Sequence, residues 1–486
     1  MIKHFLVCCF CIVAALTSAA EEDSWQKLQK TAKKHLVQLI GIDTSSPNPE
    51  EIKAARYIYK DLNKHKIDWD IYIPAPNRAN LVARLKGTDS TQKPLLLISH
   101  LDTVAAGSDW TLNPFKATQK NGNIYGLGAT DAKNYTAIYL ALLTWLKDNA
   151  PAPQRDIIFM ATSGEETGSH TGLLWLTDEK WATLNPGYAL NEGGGIIRDL
   201  QGADIVFAEA ATKMYMDIKV TAYGTAGHSS IPDGESAVYS LSQALAKIAA
   251  YNPPSQLTPT AKVFFQALEP LQDTDGKTTL HLLLEGTPQE QQAAGEVISL
   301  DPFFQTQLKD TLNPTVLAAS HDTSATSGEA SAIINVRLLP DSNPDKLLEN
   351  LQQLFTPEEG IVLEILERPQ LPFPRPMDGT DPLFASIKTT AQKLWPGSIT
   401  VPGISPASGD NEFLRRKGVI TYGLGPEMDP TVQNTTHAAN EFISEHDFFN
   451  QLKFVAGIVF DFAYQRDLLP LTVPTTVTPT QEEPKK

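Results

Sequence analysis

Two adjacent carboxylates, Glu165 and Glu166, stand in a glycine-bounded turn directly after the apolar run 157–160. This pattern predicts a buried strand that presents both acids at its carboxyl end. One acid could then hold a cation while its neighbour moves protons. The alternative is a solvated surface pair, because Asp and Glu side chains are mostly exposed. Metal-type residues at other strand ends must decide between the two interpretations.

Three such residues lie earlier in the chain. His100 and Asp102 follow the buried apolar run 95–99. Side chains at i and i+2 share a face, so the Asp102 carboxylate is predicted to accept a hydrogen bond from His100 and orient its ring. Asp131 stands in a glycine-rich turn before a helix, where capping of that helix is the alternative role.

Two more residues follow later. Glu192 precedes three glycines, which allow close approach of the backbone, and His437 lies in a polar loop before the last helix. All three cysteines lie within the first 11 residues. A mature chain without them would hold a metal through His, Asp and Glu, a ligand set that suits zinc, manganese or cobalt.

The first 20 residues have the pattern of a secretory signal peptide. A short basic start precedes an uncharged segment from Phe5 to Leu16, and small residues lead to Ala20. Cleavage after Ala19 or Ala20 is expected, which predicts a periplasmic or secreted protein with no membrane contact afterwards. A retained membrane anchor is the alternative, but the apolar segment is too short to span a bilayer.

Composition limits the possible functions. The chain has 40 Lys and Arg residues against 56 Asp and Glu residues, a formal net charge of −16. Nucleic-acid binding is excluded, since it needs a basic surface to neutralise phosphates. A length of 486 residues predicts two domains.

The elements that must position these residues alternate between strands and helices. Apolar runs at 71–73, 80–85, 95–99 and 157–160 predict strands, and the spacing within 136–149 predicts a helix. This texture predicts an α/β sheet with ligand sites at the carboxyl ends of its strands. After residue 210 the pattern becomes that of a small α+β unit. The predicted organisation is a signal peptide (1–20), a catalytic domain in two parts (21–210 and 371–468), an inserted dimerisation or lid domain (211–370) and a disordered tail (469–486).

Taken together, these segments resemble the M20 family of metallopeptidases and amidohydrolases. The resemblance runs from about residue 29 to residue 464. It rests on five motifs in family order, Ser99-His-Leu-Asp-Thr-Val104, Gly128-Ala-Thr-Asp-Ala-Lys133, Ser163-Gly-Glu-Glu-Thr-Gly-Ser169, Asn191-Glu-Gly-Gly194 and Thr436-His-Ala-Ala-Asn-Glu441. The segment from Gly224 to Pro232 is similar to the start of the family's inserted domain.

The resemblance implies a role for each residue. Two zinc ions per subunit are expected, with cobalt or manganese as possible substitutes. His100 and Glu192 would hold one ion and Glu166 and His437 the other, with Asp131 as the bridge. Glu165 would be the general base and Asp102 would orient His100. In the lid, His228 would stabilise the oxyanion from a partner subunit in a homodimer, unless it is a structural turn histidine, and Asn313 would help to bind substrate.

One departure concerns recognition of the substrate. Many family members carry an arginine that grips the substrate's free carboxylate at the position occupied here by Glu412. Either Arg415 or Arg416 replaces it, or Glu412 binds a substrate amine, because a carboxylate there would be repelled. The resemblance nevertheless makes a carboxypeptidase or N-acyl-amino-acid hydrolase acting on a small substrate the leading expectation. A dipeptidase or aminopeptidase is the alternative, and a non-catalytic metal-binding scaffold is a further one, which the retained Glu165 disfavours.

Overall fold

The computed structural model describes residues 23–465 apart from 48, 201, 232–234, 321 and 429–434. The predicted signal peptide and the predicted tail 469–486 therefore lie outside the described residues. Within the described part, no helix has both the length and the apolar character needed to cross a lipid bilayer.

Helices and strands alternate along the chain. The helices are α1 (23–40), α2 (Glu51–Lys64), α3 (Lys133–Asn149), α4 (Leu173–Glu179), α5 (Trp181–Leu184), α6 (Ala237–Ala250), α7 (Pro259–Leu268), α8 (Thr274–Glu285), α9 (Pro288–Ile298), α10 (Pro302–Leu308), α11 (Pro344–Gln352), α12 (Pro382–Leu394), α13 (Asn411–Arg416) and α14 (Glu445–Val459). The strands are β1 (Asp68–Ala75), β2 (Arg78–Leu85), β3 (Leu95–His100), β4 (Thr118–Lys120), β5 (Asn123–Tyr125), β6 (Ile157–Thr162), β7 (Tyr188–Asn191), β8 (Gly195–Leu200), β9 (Ala203–Thr212), β10 (Met214–Tyr223), β11 (Gly227–His228), β12 (Thr311–Ala318), β13 (Ala325–Thr326), β14 (Glu329–Leu338), β15 (Ile361–Glu367), β16 (Ile399–Ser405), β17 (Ile420–Gly423), β18 (Glu427–Met428) and β19 (Phe442–Ser444).

The largest sheet carries the predicted site residues at one edge. Its strand order is β1-β2-β6-β3-β7-β17-β9-β8-β18, with β16 also paired to β9. Strands β6, β3, β7 and β17 run parallel in its centre. Residues of β3 and β6 are buried throughout, which is why both strands read in sequence as continuous apolar runs. Because parallel strands end at the same edge, the turns after β3, β6 and β7 meet there.

Helices cover both faces of this sheet. Leu95 and Leu97 of β3 join the core that includes α1, α2, α3, α12 and α14. Leu96 and Ile98, which point to the opposite face, pack with α4 and α5. Strand β3 is therefore held between two apolar layers, and the residues at its end have a rigid support.

A second, antiparallel sheet has the order β12-β14-β10-β15. Alternate residues of β10, beginning with Met214 and Met216, point into a core shared with α6 and α11. We refer to this sheet with α6 and α11 as the lid unit. The predicted architecture, an α/β domain with an inserted α+β unit, is confirmed.

Helices α7 to α10 form in a stretch, 253–328, where the sequence pattern alone predicts no element. Their apolar side chains pack on β9 and β16 of the large sheet, with Phe207 and Val401 in the same core as Phe264 and Phe265. These helices lie inside the range 211–370 but contact the large sheet through this core. The chain thus crosses between the lid unit and the large sheet more than once.

Candidate metal centre and active site

The five residues predicted as metal ligands come together at the carboxyl edge of the large sheet. They form two groups whose ligand atoms lie within 4.8 Å of one another and which share Asp131. His100 ends β3, Glu192 directly follows β7, and the other three residues lie in turns or loops next to β6, α3 and β19. The groups are His100, Asp131 and Glu192, and Asp131, Glu166 and His437.

Asp131 lies between the two histidines. Its Oδ1 is 2.8 Å from Nε2 of His100, and its Oδ2 is 3.0 Å from Nε2 of His437. Glu192 Oε2 lies 3.4 Å from the same His100 nitrogen, and Glu166 Oε1 lies 3.4 Å from the His437 nitrogen. Asp131 therefore offers one oxygen to each group, the geometry required of a residue that bridges two cations.

The negative charge of this cluster, and a carboxylate oxygen in it that accepts no hydrogen bond from the described part of the chain, are suited to divalent cations. Oε1 of Glu166 is buried and has no hydrogen-bond donor among the described residues. Burial raises the pKa of Glu192 to about 7. The neighbouring carboxylates of Asp131, and then of Glu166, raise the pKa of His437 to about 10. Cations would satisfy the open oxygen and offset the crowded negative charge, and nitrogen and oxygen donors of this kind suit zinc.

Asp102 is placed differently from the sequence prediction. The Nδ1 atom of His100 lies 2.9 Å from the backbone oxygen of Asp102, whereas the nearer carboxylate oxygen is 3.6 Å away. The Asp102 carboxylate instead accepts the backbone N–H groups of Glu165 and Glu166, each at 3.1 Å. Asp102 therefore orients His100 through its main chain and holds the 3₁₀ turn Glu165–Thr167 through its side chain.

Glu441 has a comparable role that the sequence interpretation did not assign. Its buried carboxylate accepts the N–H of Gly128 at 2.8 Å and both the N–H and the hydroxyl of Thr130, at 2.7 and 2.8 Å. It thereby fixes the turn before Asp131 to the loop that carries His437. The sequence did contain an indication of this role, because Glu441 is the last residue of one of the five motifs.

Glu165 lies beside this cluster and is not a member of either group. Burial, followed by the charges of Glu192, Asp410 and Glu166, holds the pKa of Glu165 well above its ordinary value, although His100 opposes the shift. Oε1 of Glu165 lies close to Gly409, where a β-carbon would come within 3.1 Å. A partly buried carboxyl group whose pKa is shifted by its surroundings, next to a cation site, is suited to acid–base chemistry.

This geometry agrees with a family match. Residues 96–461 match the sequence model of peptidase family M20/M25/M40. The chain belongs to this family. It is accordingly a metal-dependent hydrolase of amide or peptide bonds.

Relatives of the M20 hydrolase differ in their named substrates. A probable succinyl-diaminopimelate desuccinylase from Staphylococcus aureus is 29% identical over 391 residues, which cover 79% of this chain and 87% of the relative. Aminoacylase-1 from Dictyostelium discoideum is 24% identical over 429 residues, 87% of this chain and 95% of the relative. An M20 family metallo-carboxypeptidase from Sulfolobus solfataricus has the same fold, with a TM-score of 0.63 at 18% identity over 88% of this chain and 98% of that one.

Arg415 lies in the protein interior and not on a surface that a substrate could reach. The guanidinium is buried and donates to Oε1 of Glu209 at 2.9 Å and to the carbonyl of Thr421 at 3.1 Å. Glu209 also accepts a hydrogen bond at 2.7 Å from Asn411, which in turn donates to the carbonyl of Glu192. The prediction that Arg415 binds substrate is therefore corrected. Its guanidinium pairs with Glu209, and this pair, through Asn411, supports the loop that carries Glu192.

Glu412 likewise has a partner within the protein. One of its oxygens accepts hydrogen bonds from Nε and Nη2 of Arg416, at 2.9 and 2.6 Å. Arg416 also donates to the carbonyls of Gln370 and Pro372, each at 2.8 Å. The pair thus ties helix α13 to the segment that returns from the lid unit. A substrate amine at Glu412 would have to compete with this arginine.

The predicted lid residues lie on the lid side of the protein. His228 is exposed, and its Nδ1 accepts a hydrogen bond from the Ser230 hydroxyl at 2.8 Å. Asn313 is exposed on β12, opposite Asn335 of β14. Among the described residues, no hydrogen bond or ion pair joins His228 or Asn313 to the metal-centre residues of the same chain.

Arg337 of β14 is the basic lid residue that reaches the catalytic side. Its Nη1 donates to the Ser408 hydroxyl at 3.1 Å. Ser408 precedes Gly409, whose backbone lies against Glu165. The sequence analysis assigned Arg337 no role in binding.

Proposed function

We propose that this M20 hydrolase is a binuclear zinc enzyme that cleaves an amide bond in a small substrate with a free carboxylate. The substrate would be an N-acyl amino acid or a peptide cut at its carboxyl terminus. Glu165, a partly buried carboxyl group beside two cation groups that share Asp131, is the observation that carries the proposal. The names of a desuccinylase and an aminoacylase among the relatives favour an N-acyl substrate.

The residues of the chain divide the chemistry between them. Zinc held by the two groups would supply Lewis acidity, which lowers the pKa of a water molecule and polarises the scissile carbonyl. Glu165 would take a proton from the attacking water as the water oxygen bonds to the carbonyl carbon, and would give that proton to the nitrogen as the C–N bond breaks. Asp102 holds the backbone of Glu165 and Glu166 in place, so that the Glu166 carboxylate can bind a cation while the Glu165 carboxylate faces the water.

Arg337 supports the carboxylate preference. A guanidinium presents parallel N–H groups that match a carboxylate. Arg337 has no acidic partner within 4 Å among the described residues, and its contact with Ser408 brings it near Glu165. The alternative, an aminopeptidase or dipeptidase that binds a substrate amine, depended on a free Glu412, whose carboxylate is paired with Arg416.

We also propose that the enzyme is a secreted or periplasmic homodimer. The pattern of residues 1–20 supports the location. For the dimer, β12 is an edge strand on which Val316 and Leu317 are 47% and 69% exposed. Exposed apolar edges tend to pair with another chain. Among the described residues, His228 forms no hydrogen bond or ion pair with the metal centre of its own chain, which is consistent with a role in the site of a partner.

The test is a kinetic screen of the purified, zinc-loaded protein against N-acyl amino acids and dipeptides with free or blocked termini. Glu165→Gln should retain zinc and lose about 10²–10⁴-fold in kcat. Glu179→Gln, a change of the same type at an exposed position, is the matched control. Unchanged activity in Glu165→Gln with zinc retained would contradict the general-base assignment. A wild type that hydrolyses no amide would favour a metal-binding scaffold instead.

A further inference from the structure

Four polar side chains form a row on the face of the lid sheet opposite its core. Tyr215 and Asp217 stand on β10, directly across from Arg337 and Asn335 of β14. Their neighbours along the strands, such as Met216 and Val336, point the other way into the apolar core. Since side chains alternate along a strand, all four polar residues share one face.

Hydrogen bonds join these side chains into a network in which Asp217 is the final acceptor. The Tyr215 hydroxyl donates to Oδ2 of Asp217 at 2.6 Å, and Nδ2 of Asn335 donates to Oδ1 of Asp217 at 3.2 Å. Oδ1 of Asn335 then accepts from Nε of Arg337 at 3.2 Å. The guanidinium carbon of Arg337 lies 5.0 Å from the centre of the Tyr215 ring.

The Asp217 carboxylate determines which atoms of its neighbours act as donors and which as acceptors. An ionised carboxylate only accepts hydrogen bonds, so Asn335 must turn its amide nitrogen to Asp217 and its oxygen to Arg337. Burial, and then the hydrogen bond to Asp217, raise the pKa of Tyr215 to about 12, so its hydroxyl stays a donor at neutral pH. Two contacts therefore fix the orientation of the Arg337 side chain. The Asn335 amide accepts a hydrogen bond from Nε, and the Tyr215 ring lies against the guanidinium.

Asp217 orients Arg337 without neutralising it. Asn335 stands between the two charges, and no carboxylate oxygen lies within 4 Å of the guanidinium among the described residues. Nε contacts Asn335 and one N–H of Nη1 contacts Ser408. Nη2 has no hydrogen bond to the described residues, which leaves the outer edge of the guanidinium to an external acceptor. Two parallel N–H groups at that edge match a carboxylate.

We infer that Asp217 and Tyr215 are positioning residues that, through Asn335, aim Arg337 at the free carboxylate of the substrate and so set the preference for that group. This inference rests on the proposed function and deepens it. It gives the enzyme a carboxylate-recognition device on the lid sheet, with a carboxylate, an amide and a phenol acting together behind one arginine.

The experiment compares a substrate that carries a free carboxylate with its carboxamide, using the full-length zinc-loaded enzyme. Asp217→Asn should raise KM for the free carboxylate about tenfold with kcat changed less than about threefold, and leave both constants for the carboxamide unchanged. Tyr215→Phe keeps the ring and should raise the same KM about threefold. Glu329→Gln, on the same sheet, is the control and should change neither constant; among the described residues its side chain pairs only with Lys219, at 3.5 Å.

The outcomes separate this inference from the function on which it rests. If Arg337→Met removes the discrimination between the two substrates but Asp217→Asn does not weaken it, the positioning role is wrong and carboxylate recognition stands. If Arg337→Met leaves the discrimination intact, carboxylate recognition by the lid is itself wrong. An equal loss on both substrates in Asp217→Asn, with a lowered thermal midpoint, would assign Asp217 to folding alone.

Discussion

Replacement of Asp102 by Asn tests how the metal centre is held. The carboxylate is fully buried and accepts one backbone N–H on each oxygen, from Glu165 and from Glu166. An amide keeps one acceptor and turns an N–H₂ group toward the other backbone donor. Hydrogen bonds to a charged group contribute about 1.5–3 kcal/mol each, and a buried donor left without an acceptor costs about 1–3 kcal/mol. We therefore expect Asp102→Asn to lose about 2–4 kcal/mol of unfolding free energy.

The same substitution should weaken zinc binding, because the turn that carries Glu166 is released. Loss of a group that orients a metal ligand typically costs 10–100-fold in metal affinity. The measurement is a competition titration with a chromogenic chelator, together with urea unfolding of the metal-free protein. Backbone contact with His100 should survive, since it uses the main-chain oxygen of Asp102.

A matched control comes from the base of the lid unit. Asp310 is also a buried carboxylate that accepts a backbone N–H, that of Leu339 at 2.7 Å, together with the Ser342 hydroxyl at 2.6 Å. Asp310→Asn should lose comparable stability and bind zinc as the wild type does. If Asp102→Asn binds zinc as tightly as Asp310→Asn, the carboxylate does not hold the metal turn and the reasoning is refuted.

Three other substitutions test separate parts of the structure. Glu441→Gln should weaken zinc binding about 10-fold in a chelator titration, because it loosens the turn before Asp131, and an unchanged affinity would count against this link. Glu412→Gln should leave KM unchanged within about twofold for both acidic and amine-bearing substrates, since its carboxylate faces Arg416, whereas a selective rise in KM would restore it as a binding residue. Burial lowers the pKa of Lys213 from its ordinary value of 10.5 to about 8. The unfolded chain therefore binds more protons between these values, and the stability of the wild type relative to Lys213→Met should rise by about 2 kcal/mol from pH 7 to pH 9.5 in urea unfolding, while a flat difference would contradict the shift.

Much of the metal centre could be predicted because its residues are encoded locally. His100, Glu165 and Glu166 each follow a buried apolar run, and parallel strands bring such ends together whatever the rest of the chain does. Helices α7 to α10 were also signalled locally, because each begins at a side chain that caps its first turn. The capping residues are Thr258, Asp273, Thr287 and Asp301. The Gln-, Pro- and Thr-rich composition of this stretch obscured that signal.

The roles of the arginines could not be predicted in the same way. Arg415 and Arg416 are neighbours on α13, and successive helical residues point about 100° apart, so one enters the interior while the other faces the returning lid segment. Which of them does so depends on the position of Glu209, more than 200 residues away in sequence. The contact between Arg337 and Ser408 joins two units of the fold and has no local signal at all.

The proposed role of Arg337 would couple substrate recognition to the position of the lid unit. Glu165 and the metal centre belong to the large sheet, whereas Arg337 belongs to the lid sheet. A substrate held by its carboxylate at Arg337 and by its scissile carbonyl at the metal centre must therefore bridge the two units. Binding energy from the carboxylate then fixes the distance between lid and metal centre, and not only the place of the substrate. Under the proposed function, a substrate without that group would therefore lose orientation at the reacting carbonyl as well as affinity.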